Sequence, residues 1–216
     1  MLEGRAAEGA IAFDEGAAVI TIFDYGAGNL QSVKNTLGAL GASYELVRDS
    51  AGLCHASKII LPGVGHFGQM MRALDDLQVR DALVERIHAG VPFLGICLGL
   101  QALFASSEEA PEERGLGIYE GEVKRFRGDL RIPHMGWNQV RPCRETRLLN
   151  GAQTAPYLYF AHSYYCPIVP ATAAVCDYIV PYTAILDRGN VYGVQFHPEK
   201  SGPAGLAVVR NFIDKC

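Results

Sequence analysis

Residues 18–23 form a continuous apolar and β-branched run that breaks at Asp24-Tyr25-Gly26-Ala27-Gly28, which predicts a buried strand ending in a tight turn. Leu30, Val33, Leu37 and Leu40 then recur at helical spacing behind Asn29 as N-cap, and Gly41 stops the run. The cycle repeats. Residues 44–47 and 58–61 read as strands, the second ending at Pro62-Gly63. Val79, Leu83 and Ile87 mark a helix closed by Gly90, and 92–96 is another buried strand. Strands alternating with helices predict βαβ units and a parallel sheet.

After about residue 115 the pattern changes to short strand-like runs at 118–126, 136–141, 157–166, 173–180, 182–187 and 190–196. Ser201-Gly202-Pro203 then opens a last amphipathic helix carrying Leu206, Val209, Phe212 and Ile213. The expectation is one α/β domain over 18–216: a mostly parallel mixed sheet flanked by helices, with an added antiparallel β region. Residues 1–17 scatter charges among Ala and Gly without the basic start and apolar run of a secretion signal, and read as a disordered leader.

Composition narrows the function classes. A chain of 216 residues, 49% hydrophobic and 19% charged, is long enough for one large domain with a full core. Its net charge of -4 supplies no basic field for a phosphate backbone, so nucleic acid is not an expected partner. The most apolar stretch, 91–105, is broken by Pro92, Gly95, Gly99 and Gln101 and falls short of the ~20 residues a membrane span needs. The 6 cysteines contain no C-x-x-C pair, which argues against a zinc site and for a reducing, cytoplasmic setting.

Chemistry concentrates in three places. Gly95-Ile96-Cys97-Leu98-Gly99 sits where a buried strand gives way to the run 98–104. Glycine on both sides permits the sharp strand-to-helix turn that lifts a nucleophile out of a sheet, and a helix N-terminus beyond it favours the thiolate. A thiol nucleophile needs a base, and the base an orienting group. Phe196-His197-Pro198-Glu199 offers both, with Pro198 biasing His197 to extended backbone so that 197 and 199 project to one side. Leu61-Pro62-Gly63-Val64-Gly65 ends a strand parallel to that of the elbow and so opens at the same edge. Backbone N–H groups at Gly63, Val64 and Leu98 are placed to hold the oxyanion formed when Cys97 attacks an amide carbonyl. Each feature alone has a plainer reading, as a packed cysteine, a structural histidine or an ordinary loop. Their coincidence carries the inference.

These residues resemble the class I glutamine amidotransferases, whose elbow reads G-x-C-x-G-x-Q and whose base motif reads H-P-E. Within that family, Asp24-Tyr25-Gly26-Ala27-Gly28-Asn29, Leu61-Pro62-Gly63-Val64-Gly65, Pro133-His134-Met135-Gly136-Trp137-Asn138, His162-Ser163-Tyr164 and Phe196-His197-Pro198-Glu199-Lys200-Ser201 are similar to the glutaminase subunits of imidazole glycerol phosphate synthases. The resemblance implies a flavodoxin-like fold and hydrolysis of L-glutamine through a thioester on Cys97, with His197 shuttling the proton and Glu199 orienting it. It implies that Gln101, Ser163, Tyr164 and the backbone around Gly63 bind glutamine. No cofactor and no metal is implied. The ammonia would pass through a (β/α)8 cyclase partner to a phosphoribulosyl aminoimidazole carboxamide nucleotide, giving imidazole glycerol phosphate and the carboxamide ribotide. Trp137 and Asn138 resemble contacts with that cyclase, although a sole tryptophan is just as often a core anchor. Poor turnover by family members without their cyclase leads to the expectation of an inactive loop at 62–65 that reorients on binding.

A competing pattern is Gly26-x-Gly28 after a strand with Asp49 about 20 residues on, a fragment of a dinucleotide fingerprint. Gln31 stands where its third glycine is required.

Overall fold

The computed structural model describes residues 19–26, 29–152 and 154–216. The leader expected at 1–17 lies outside the described residues. In chain order the elements are β1 (Ile20–Phe23), α1 (Leu30–Ala39), β2 (Tyr44–Val47), α2 (Ser50–His55), β3 (Ile59–Gly63), α3 (Phe67–Asp76), α4 (Arg80–His88), β4 (Phe93–Cys97), α5 (Leu98–Gln101) and β5 (Phe104–Ser107). There follow β6 (Tyr119–Arg125), β7 (His134–Gln139), β8 (Arg141–Pro142), β9 (Tyr157–His162), β10 (Tyr164–Tyr165), β11 (Thr172–Asp177), β12 (Pro181–Arg188), β13 (Val191–Val194) and α6 (Gly202–Lys215).

Among the described residues the strands form an 8-stranded sheet ordered β2-β1-β3-β4-β13-β12-β11-β8, a 3-stranded sheet β10-β6-β5 and a 2-stranded sheet β7-β9. From β2 to β13 the pairing in the large sheet is parallel, and from β13 to β8 it is antiparallel. This is the doubly wound, mixed arrangement expected. Strands β3 and β4 are buried at every position, so they read as unbroken apolar runs rather than alternating ones. One core cluster packs β3 and β4 side chains such as Leu61 and Phe93 against α3 and α4. A second packs Ile22, Ile60, Leu94 and Val194 against α1 and α6.

Four local expectations are corrected. Asn29 precedes α1, but its side chain accepts from the Ser32 hydroxyl at 2.8 Å rather than from a helix amide. β3 continues through Pro62 and Gly63 instead of stopping before them. The segment after Cys97 is a single helical turn, because Phe104 already pairs with Tyr119 as strand β5. α2 and α3 were not foreseen. Their N-termini are closed by side-chain acceptors: Asp49 takes the Gly52 amide, and Glu109 takes the Phe67 amide at 2.7 Å.

Candidate active site

The parallel strands β3, β4 and β13 end at one edge, where Gly63 is the register partner of Cys97 and Val194 that of Ile96. Carboxyl ends of parallel strands are where such sheets open a crevice. Cys97 closes β4 with φ 54 and ψ -104, a conformation that L residues avoid and that tertiary packing must hold. The glycines beside it make that packing possible. A Cβ on Gly99 would sit 2.0 Å from the Leu61 carbonyl oxygen, and one on Gly95 2.4 Å from the Gly99 oxygen, so α5 lies directly on the backbone of β3 and β4. α5 is too short to supply much macrodipole, so the strained turn and the groups around the sulfur must do what a longer helix would.

His197 follows β13 in extended backbone, its amide hydrogen-bonded to the Tyr159 carbonyl at 2.8 Å. Pro198–Lys200 is a 3-10 turn, so Glu199 is not extended as anticipated; the turn folds its carboxylate back until Oε1 lies 2.8 Å from His197 Nδ1. Both side chains are 3% exposed. Burial opposes an imidazolium here, but hydrogen bonding to Cys97 and Glu199, and the charges on both, push the His197 pKa up to about 10. Its surroundings therefore favour the protonated imidazole.

Cys97 and His197 line one cavity of about 270 Å³ together with Val64, Leu98, Gln101, Ser163 and Tyr164. Gly63 lies behind this wall. There a Cβ would come within 2.9 Å of the Gly99 amide, which keeps β3 and the elbow in contact. Val64 O accepts from the Tyr25 hydroxyl at 3.4 Å, and Gly65 takes φ 104. Burial pushes Tyr25 up to about 12, so it remains a neutral donor at the loop. It is held there by Asp24, which binds the Gly26 amide and Arg48.

Gln101 is committed within the protein. Its amide nitrogen donates to Tyr164 O at 2.9 Å and to Gln195 Oε1 at 3.2 Å, which leaves its oxygen for a ligand. The cavity also contains Glu109 and Ala161, which sequence reasoning does not single out, and Gly65, Pro133, Met135 and His162, which lie in the loop and motifs named above but to which it assigns no individual role. Glu109 supplies a carboxylate to the lining, suited to an ammonium group; in sequence it stands among Glu108, Glu112 and Glu113, a charge run that reads as a solvated face. His162 is neutral: burial drives its pKa down to about 3, with its Nδ1 held by Tyr164 O at 2.7 Å.

Trp137 and Asn138 stand on β7. Trp137 is 56% exposed and meets Tyr159 edge-on at 6.1 Å, so it is not a core anchor. Asn138 donates to Asp177 O at 3.0 Å. Met135 and Tyr157 extend the same exposed apolar face. A larger depression of about 750 Å³ lies far from this chemistry, beside Arg144, Thr146 and Asp187. Its Arg144 already serves the carbonyls of Ala171, Thr172 and Asp187. Among the described residues no group of three or more His, Cys, Asp or Glu is arranged to hold a metal ion, and no helix is long and apolar enough to cross a membrane.

A buried Cys-His-Glu set on a strained elbow defines a cysteine-dependent amide hydrolase, and residues 21–216 match the family Glutamine amidotransferase class-I. The chain belongs to that family. Among its relatives is "Imidazole glycerol phosphate synthase subunit HisH" of Desulfitobacterium hafniense, 46% identical over 196 residues that cover 90% of this chain and 93% of the relative. The protein of the same name from Thermococcus kodakarensis is 46% identical over 200 residues, 90% of this chain and 98% of the relative. A crystal structure of a glutamine amidotransferase, 19% identical, superposes with a TM-score of 0.72 over 91% of this chain and 98% of that one, a likeness of fold.

Proposed function

We propose that this chain is the glutaminase subunit of an imidazole glycerol phosphate synthase, with Cys97 as nucleophile, His197 as acid and base and Glu199 as its orienting carboxylate. The observation that carries the reading is the strained Cys97 facing a buried His197 whose Nδ1 is fixed by Glu199. The Cys97 thiolate adds to the side-chain carbonyl carbon of glutamine, and the charge moves to oxygen. N–H groups of Val64 and Leu98, with Gly63 behind them, receive that oxyanion. His197 gives its proton to the amide nitrogen, the C–N bond breaks and ammonia leaves. It then takes a proton from water, whose oxygen attacks the thioester; the sulfur departs as thiolate and glutamate is released.

Gln101 O, Ser163 and Tyr164 border the glutamine, and Glu109 faces its α-ammonium. The exposed face around Met135, Trp137 and Tyr157 docks a (β/α)8 cyclase, which receives the ammonia out of contact with water; Asn138, half-buried on the other side of β7 with its amide on Asp177 O, supports the strand rather than the contact. Residues 18–216 act as one domain, and unpaired cysteines suit a cytoplasmic location. The test is reconstitution with a cyclase subunit. Cys97→Ala is expected to lose glutamine-dependent formation of imidazole glycerol phosphate and keep the ammonia-dependent reaction; retention of the glutamine-dependent reaction would refute the assignment.

A further inference from the structure

Gln195 is 0% exposed and occupies the position between β13 and the catalytic histidine. It projects to the same side of the extended chain as His197, two residues on. Its amide nitrogen lies 3.6 Å from Cys97 Sγ, within reach for a hydrogen bond to sulfur. Nothing in the triad mechanism uses it.

Which end of this amide faces the sulfur is fixed by its neighbours. The Tyr164 carbonyl can only accept, so the Gln101 atom 2.9 Å from it is the amide nitrogen. The second hydrogen on that nitrogen meets Gln195 at 3.2 Å and requires an oxygen there. Gln195 is thereby turned with Oε1 toward Gln101 and Nε2 toward Cys97.

We infer that Gln195 is a positioning residue for the nucleophile, its side-chain N–H holding the Cys97 sulfur as thiolate. A donor to sulfur favours the anion over the thiol, since hydrogen bonds to charged groups are stronger. It also favours the anion over the thioester, whose sulfur is a poorer acceptor. The contact therefore supports the sulfur before attack and again when it leaves the acyl group. Other titratable groups that feel the Cys97 charge are Tyr25, Cys166 and Tyr182, all kept neutral by burial, and His197. The role of Gln195 rests on the glutaminase reading of Cys97 given above.

The experiment is the pH dependence of iodoacetamide alkylation of the full chain, followed at Cys97 by peptide mass, in the wild type, Gln195→Met and Gln195→Glu. Met keeps the bulk and removes the donor. Glu keeps the shape and places an acceptor at the sulfur. The alkylation midpoint is expected to rise by about one pH unit in Gln195→Met, the equivalent of one hydrogen bond to a charged group, and further in Gln195→Glu. Glutaminase kcat should fall roughly tenfold with KM held, since the contact acts on the reacting sulfur. A midpoint unchanged from wild type in Gln195→Met, with its melting transition intact, would overturn the inference whether or not Gln195→Glu folds. Wild-type label on another cysteine with Cys97 unmodified would instead sink the glutaminase reading, and the role of Gln195 with it.

Discussion

His197 Nδ1 lies 2.8 Å from Glu199 Oε1, inside a turn that leaves the other carboxylate oxygen buried without a partner. All of the carboxylate's hydrogen bonding thus goes to one imidazole nitrogen, and among the described residues no Lys or Arg competes for its charge. Glu199→Gln can keep an oxygen on Nδ1 while losing the charge. It should lower glutaminase kcat by roughly 10⁴-fold, the loss found when the orienting acid of a nucleophile–histidine pair is neutralised. The melting temperature should hold, because no partner of the second oxygen is lost. Activity within a factor of two of wild type would show that the imidazole needs no anion.

Gly99 carries the elbow by having no side chain. A methyl group there would meet the Leu61 carbonyl oxygen at 2.0 Å, and backbone cannot rotate aside as a long side chain can. Gly99→Ala should cost about 3 kcal/mol in urea unfolding, at the upper end for overpacking, and displace Cys97 enough to abolish turnover. A stable, active alanine variant would mean that β3 and α5 separate freely.

Much of this was legible in sequence where periodicity and backbone chemistry coincide. Leu30, Val33 and Leu37 reveal α1, and paired glycines reveal the elbow at Cys97. The stretch 102–105 misled because it is apolar throughout and suits either a helix or a doubly buried strand; pairing of Phe104 with Tyr119, a tertiary event, decided for strand. α3 carried a readable stripe in Phe67, Met70, Met71 and Leu74, but the glycines before it suggested a loop. Glu109 and Gln195 had no local signal. Glu109 joins the site through the Phe67 amide, 42 residues away, and Gln195 through the register of β13 against β4.

The carboxylate of Glu109 predicts a division between binding and chemistry. Its Oε2 caps α3 through the Phe67 amide while the side chain borders the cavity. Glu109→Gln retains an acceptor for the cap and removes the charge opposite a substrate ammonium. KM for glutamine should rise about tenfold to a hundredfold, the loss of one charged hydrogen bond, with kcat and Cys97 alkylation close to wild type. An unchanged KM would place the ammonium elsewhere.

Two buried histidines are expected to make the fold acid-sensitive. Burial lowers His134 to about 4 and His162 to about 3, where an unfolded chain would titrate near 6.5. As pH falls from 6.5 toward 4 the unfolded state takes up protons that the folded state refuses, so stability is full above this window and declines within it. His134 Nδ1 rests 3.1 Å from the Tyr182 hydroxyl and 3.2 Å from His162 Nε2, with no carboxylate against it to rescue a charge. Urea midpoints measured from pH 7 to pH 4 should fall less steeply in His134→Gln than in wild type. Parallel slopes would assign the acid sensitivity to other groups.

Trp137 joins the outer face to His197 through very few bonds. Its ring stands against Tyr159, and the Tyr159 carbonyl takes the His197 amide at 2.8 Å. With the indole 56% exposed, little of the monomer's stability depends on it. Covered by a cyclase, the same ring becomes a buried aromatic anchor of the kind that dominates interface energies. Trp137→Ala should leave the melting temperature of the free subunit within about 2 °C, as for an exposed position. It should weaken cyclase association by about 30-fold, the equivalent of roughly 2 kcal/mol. Because Tyr159 loses its neighbour only in part, glutamine hydrolysis at saturating cyclase should return toward wild type. Association unchanged in a titration would remove this face from the interface, and a collapse of the free subunit's stability would show that the indole supports the fold after all.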